Sequence, residues 1–245
     1  MESATSGTAG NGAFERWVAH FAANRARHEE IEARVDWSAV ADLPEHVRTS
    51  IARSFQRFAL GEGGDGARLL AKARRCSDAQ QQALRMLVAE EQRHSELFTR
   101  GLRHLDAVPL GHHWSDRVFT ALRRSMGLRT ELALFLVAEA VAMPYFVVLA
   151  RSGPDEITRA IGTRIALDEE HHLAFQIDQL RQEYRSATRV QRRLAFLAWW
   201  CIAVGAATVV SVDHGAALRA CGLSVRMYWG AALRSFRRTA AAALA

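Results

Sequence analysis

Apolar residues recur along this chain at the spacing of helices rather than strands. From Phe14 to about Val35, Trp17, Phe21 and Ile31 fall on one side of an amphipathic helix. From Val47, a second stripe runs through Ile51, Phe55, Phe58, Glu62, Gly66 and Leu69. A third runs through Leu84, Leu87, Val88, Glu91, His94, Phe98 and Leu102, and a fourth through Leu132, Phe135, Glu139, Ala142, Phe146 and Leu149. Ile161, Ile165, Glu169 and His172 share a fifth. Each follows i, i+3, i+4, i+7 spacing, the mark of a helix with one buried face. Beyond Arg193 come a long apolar helix and a last basic one ending near Arg238. The β-prone runs, Val209-Val210 and Tyr145–Val148, are short and lie inside helical patterns. The expected fold is all-α.

Boundary signals divide the pattern. Pro44 suits a helix start, and Ser77-Asp78 caps a helix that runs to about Leu105. Gly127–Leu149 forms the next helix, with a kink expected at Pro144. Ser152-Gly153-Pro154-Asp155 is a turn, and the following helix continues to about Arg185. Around Glu62 the signals conflict, because Gly61, Gly63, Gly64 and Gly66 disfavour a helix. Either the helix ends at Leu60 with a turn at Asp65-Gly66, or it continues in a distorted form; the stripe resuming at Leu69 and Leu70 favours continuation. Residues 1–12 are small and polar and read as a disordered tail rather than a signal peptide. One domain is expected over 13–240, with a bundle at about 45–185 and accessory helices at 13–35 and 190–240.

Acids and histidines interrupt the stripes where core should be. Glu62 is followed 29 residues later by Glu91-Gln92-Arg93-His94, and Glu139 is followed 30 residues later by Glu169-Glu170-His171-His172. Each half is a lone glutamate, then a Glu-x-x-His, as in an internal duplication. Residues i and i+3 share a helix face, so each pair can present a carboxylate and an imidazole in one direction. An ionised carboxylate buried alone costs several kcal/mol, so these acids must be neutralised, paired or bound to metal. Two glutamates plus two Glu-x-x-His pairs are the ligand set of carboxylate-bridged di-metal bundles. The 45 residues from His94 to Glu139 fit one long crossover between the second and third bundle helices. In the last bundle helix Asp168/His171 is an alternative i, i+3 pair. Glu169/His172 is preferred because it shares the stripe of Ile161 and Ile165.

Composition narrows the function classes. A net charge of +6 comes almost entirely from arginines that are spread along the chain, with no recognition motif, so a nucleic-acid partner is not expected. Cys76, Cys201 and Cys221 are too few and too scattered for a disulfide framework or a zinc knuckle, which points to a reducing, cytoplasmic setting. Leu194 to Val212 carries no charge over nineteen residues and could span a bilayer. Gly205, Thr208 and Ser211 dilute it and Asp213-His214 follows at once, so a helix enclosed by others is the preferred reading and a membrane partner is not expected.

The stretches Phe58-Ala59-Leu60-Gly61-Glu62, Glu90-Glu91-Gln92-Arg93-His94, Ala138-Glu139-Ala140 and Asp168-Glu169-Glu170-His171-His172 resemble the ferritin-like di-iron carboxylate superfamily. The resemblance covers about residues 45–185 and is closest to bacterial ferritin-like proteins near the p-aminobenzoate N-oxygenase branch. It implies a ferritin-like four-helix bundle with extra N- and C-terminal helices. Glu62, Glu91, His94, Glu139, Glu169 and His172 would hold two iron ions, or a manganese–iron pair, with Glu91 and Glu169 bridging. Glu90 and Asp168 would orient the histidines, and Tyr145, Asp213 and His214 are further candidates near the site. No catalytic residue beyond the ligands is expected. The implied activity is dioxygen activation to oxidise or oxygenate a small organic substrate, with an external electron donor and a homodimer as a candidate assembly. Alternatives are a ferroxidase or iron-handling protein, or a metal-free bundle of ion pairs. The N-oxygenase branch adds a histidine where this chain has Ile165, so the resemblance does not extend to N-oxygenation.

Overall fold

The computed structural model describes residues 6–114, 121 and 126–245, and these are helical with no strand among them. The helices are α1 (Ser6–Ala33), α2 (Glu45–Glu62), α3 (Ala67–Lys72), α4 (Asp78–His104), α5 (Leu128–Ser152), α6 (Glu156–Glu183), α7 (Arg189–Asp213), α8 (Gly215–Ala220) and α9 (Val225–Ala243). The expected crossover between α4 and α5 falls partly outside the described residues.

α2, α4, α5 and α6 form a helical bundle. α4 runs antiparallel to α2, since Ser95 Oγ donates to the Ala59 carbonyl (2.7 Å) and Gln92 Nε2 to that of Gly64 (3.3 Å). α6 runs antiparallel to both α4 and α5: Gln80 bonds Gln179 at one end, and Gln176 on α6 reaches Glu139 on α5. Gly162 lets α6 press on α5, because a Cβ there would stand 2.5 Å from the Ala150 nitrogen. Gly101 does the same for α4, where a Cβ would meet the Phe55 ring at 2.6 Å. Phe55, Phe98, Tyr145 and Phe146 fill the adjoining core and are fully buried. Burying each such ring contributes roughly 1.5–3 kcal/mol.

The helix ends follow the local chemistry. Ser77 Oγ accepts from the Gln80 amide, and Asp155 with Thr158 closes a capping box at the start of α6; such caps contribute about 1 kcal/mol each. Pro144 lies inside α5 and leaves the carbonyl one turn back without its amide partner. Tyr228 on α9 donates to the neighbouring carbonyl, that of Val141 (2.8 Å).

Three expectations need correction. α2 does not continue through the glycines: it stops at Glu62, and the chain turns through Gly66 at φ +63° before α3. A Cβ on Gly66 would lie 2.6 Å from Val88, so glycine is required there both by the left-handed backbone and by packing. Residues 6–12, read as tail, are the first turns of α1. α7 is not enclosed by other helices, since Val190, Leu194, Leu197 and Val212 are all exposed. α5 and α7 are both long and apolar enough to cross a membrane, and α5 is mostly buried in the bundle whereas α7 is not.

Candidate metal centre

The helix register brings the two halves of the sequence pattern together. Glu91 and His94 project from α4, and Glu169 and His172 from α6, one turn apart in each case as the i, i+3 spacing requires. One ligand-type atom from each of these four lies within 4.8 Å of the other three. His172 Nδ1 is 2.9 Å from Glu91 Oε1, and His94 Nδ1 is 3.5 Å from Glu169 Oε1. The two imidazole rings stand 5.4 Å apart, centre to centre. Glu139, from the middle of α5, and Glu62, the last residue of α2, lie near enough to feel the charges of Glu91 and Glu169. His94, Glu139, Glu169 and His172 are buried, and Glu62 is partly exposed.

Between Asp168/His171 and Glu169/His172, the structure turns the latter pair inward. His171 is half-exposed, and its Nδ1 donates to the Leu167 carbonyl (2.9 Å).

Each imidazole is held from behind by the opposite half. His94 Nε2 donates to Asp168 Oδ2 (2.9 Å), and His172 Nε2 donates to Glu90 Oε2 (2.9 Å). The carboxylates can only accept, so each Nε2 carries a proton and each Nδ1 faces the cluster. Arg164, fully buried one turn before Asp168, bonds the same carboxylate. From α1, His28 Nε2 lies 2.9 Å from Asp168 Oδ1 and its Nδ1 lies 4.0 Å from Glu90 Oε1. The sequence reading singled out neither residue; the i, i+4 spacing of Arg164 to Asp168 is the signal that marks it, and His28 has none.

The atoms turned toward the middle of the cluster approach one another as ion pairs but form no well-made hydrogen bond. Glu91 Oε1, His94 Nδ1, Glu139 Oε2, Glu169 Oε2 and His172 Nδ1 are all buried without a hydrogen-bond partner. His172 Nδ1 and Glu91 Oε1 are close enough to bond but poorly aligned for it. Buried polar atoms are rarely left unpaired, and each such atom costs about 1–3 kcal/mol.

Electrostatics report the same crowding. Burial, and then the neighbouring carboxylates, push the Glu62 and Glu139 carboxyls well above the usual range. Burial and Glu91 raise Glu169. Burial opposes charge on Glu91 too, but His172 and His94 outweigh it and hold that carboxyl near 2. Burial disfavours charge on His94, yet Asp168 and Glu169 raise it to about 9, and His172 is raised further by Glu91 and Glu90.

Tyr145 and His214 lie outside this cluster. Both bond Ser54 Oγ, Tyr145 through its hydroxyl (2.6 Å) and His214 through Nδ1 (2.7 Å). Ser54 is eight residues before Glu62 on α2, or roughly 12 Å along the helix. The Phe58 ring packs on both. Burial keeps the His214 imidazole neutral, with its pKa lowered to about 3. Asp213 instead faces His113 (4.0 Å), and its carbonyl accepts from Arg57. A groove of about 830 Å³ between α5, α7 and α9, lined by Met143, Val147, Phe196 and Arg234 among others, contains none of the six cluster residues.

Compared with known proteins, the chain matches no family model and no curated sequence. The geometry of the cluster therefore carries the functional reading.

Proposed function

We propose that the cluster is a di-metal centre and that the chain is a di-iron oxidase or oxygenase acting on a small organic substrate. The observation that carries this reading is the set of five unpaired, buried atoms, one from each of Glu91, His94, Glu139, Glu169 and His172. Behind them Asp168 is satisfied by His94, His28 and Arg164, although Arg164 Nε and Nη2 also lack a hydrogen-bond partner. The five inward atoms would be satisfied by cations placed between the carboxylates and the Nδ1 lone pairs.

Glu62, Glu91, His94, Glu139, Glu169 and His172 would hold the ions. Four carboxylates and two imidazoles without thiolate suit iron or manganese, with iron at both positions or a manganese–iron pair. When bound, two ferrous ions supply the electrons for dioxygen reduction and so an oxidant for a neighbouring substrate. Asp168 and Glu90 fix the tautomer that points Nδ1 inward and raise the basicity of each ring. Phe58, Phe98 and Phe146, one or two helical turns from Glu62, His94 and Glu139, pack together as an apolar layer. Glu62, at a helix end beside glycines, is the least constrained of the six and stands on the side reached by solvent. An external electron donor would return the centre to the ferrous state.

Metal analysis of the purified protein, then optical spectra on adding oxygen to the ferrous form, tests the reading. New near-ultraviolet or visible absorption that decays with substrate oxidation is expected. Oxidation of excess ferrous iron with a mineral product would instead indicate iron handling.

A further inference from the structure

α7 carries an uncharged face that the rest of the molecule leaves open. Its exposed positions from Leu194 onward are Leu194, Leu197, Ala198, Cys201, Gly205, Thr208 and Val212. Leu194, Ala198, Cys201, Gly205, Thr208 and Val212 alternate steps of four and three, the spacing of a seam between two paired helices. Val190, Leu194, Leu197 and Val212 are 65%, 61%, 58% and 76% exposed. Trp229 of α9, 38% exposed, extends the surface by donating to Thr208 Oγ1 at 3.3 Å. Continuous apolar surface of this extent is uncommon on a monomer.

We propose that this face pairs with itself on a second copy, the two α7 helices antiparallel about a two-fold axis level with Ala203. The face is self-complementary about that level. Leu194 comes opposite the partner's Val212, Ala198 opposite the partner's Thr208, and Cys201 opposite the partner's Gly205. Large side chains thus meet at the ends and small ones at the centre, where two backbones approach most closely. Gly205 has open space where a Cβ would stand, leaving room for that approach. The antiparallel arrangement sets Arg189, Arg192 and Arg193 of one helix beside the C-terminal end of the other, which favours cations, whereas a parallel pair would stack the arginines. An isologous contact of this kind closes on two copies.

Sedimentation velocity of the full chain, metal-free and metal-loaded, tests the pairing. A particle of twice 27.2 kDa is expected. Gly205→Arg should weaken dimerisation by about 100-fold or more, because a charge would enter the buried centre, while its helicity by circular dichroism stays unchanged. Because the variant could misfold, a second measurement uses the unmodified sequence. A short-spacer bismaleimide should link two copies through Cys201, and Cys201→Ser but not Cys76→Ser should abolish the link. A monomeric wild-type chain would overturn the proposal, whether it stays free or binds vesicles of anionic phospholipid. So would a dimer that persists in Gly205→Arg, or one whose Cys201 fails to cross-link.

Discussion

Glu62 and Glu139 occupy equivalent places in the two halves of the repeated pattern, yet the protein holds them very differently. Glu139 projects from the middle of α5, is buried, and is pinned by Gln176. Glu62 is the final residue of α2, partly exposed, with glycines on both sides. The acids behind the histidines differ in the same direction. Asp168 is gripped by His94, His28 and the buried Arg164, whereas Glu90 has His172 at 2.9 Å and His28 only at 4.0 Å. One half is thus fixed by its surroundings and the other has room to adjust. A duplicated ligand pattern therefore does not imply a symmetric centre, because the second layer of contacts is not duplicated.

The difference can be broken from either side. The largest effect should come from Asp168→Ala, which strands the buried Arg164 guanidinium. Breaking one partner of a buried ion pair costs about 3–5 kcal/mol, so urea denaturation of the metal-free protein should show a loss of that order. Glu90→Ala should cost less than half as much, and equal losses would remove the asymmetry.

Metal affinity should respond to both acids in a way stability does not. Glu90→Gln and Asp168→Asn each remove the carboxylate behind a ligating imidazole, and changes to such partners reduce metal affinity by about 10–100-fold. Competition against a ferrous chelator measures this directly.

Opposite signs are expected for Glu139→Gln. Its carboxyl is pushed well above the usual carboxylate range by burial and by Glu169 and Glu91, so charge on it is disfavoured. A neutral amide should therefore stabilise the metal-free protein at neutral pH while weakening metal binding. Glu62→Gln should do the same to a smaller extent, because Glu62 is partly exposed. Thermal melts with and without metal separate the two effects.

The pH dependence sharpens the account further. His94 has a pKa raised to about 9, so its stabilising contribution is full below its ordinary value of 6.5 and is lost as pH rises through 9. Glu62, Glu139 and Glu169 are raised acids and act in the same direction, losing stability as pH climbs above their ordinary value of 4.5. The metal-free protein should thus melt at lower temperature at pH 9 than at pH 6.5. Bound metal competes with those same protons and should flatten or reverse the trend. His214 works at the other end: its pKa is lowered to about 3, so its contribution is present above 6.5 and lost as pH falls toward 3. This contribution is confined to the acidic range, and His214→Gln should remove it.

Much of this was legible in the sequence, for identifiable reasons. Helix period, the Ser77 cap and the turn at Ser152–Asp155 are local signals, and the structure follows them. The convergence of Glu91, His94, Glu169 and His172 was legible because acids and histidines interrupt stripes that otherwise read as core. The end of α2 at Glu62 was misjudged because the resuming apolar stripe was weighted above the glycines. The stripe resumes at Leu69 on a separate short helix, and Gly66 makes the turn between. The exposed face of α7 was hidden for a different reason. Composition cannot distinguish an enclosed apolar helix from one awaiting a partner: α5 and α7 have similar mean hydropathy, 2.2 and 2.0, but 61% and 22% burial. His28 was invisible because its contact with Asp168 depends on where α1 crosses α6, a long-range property with no local mark.

Titration with ferrous iron under anaerobic conditions bears most directly on the central claim. The account predicts saturation at two ions per chain, with binding lost in the Glu91→Ala, Glu169→Ala double variant. Absence of saturable binding by the folded wild-type protein would contradict it.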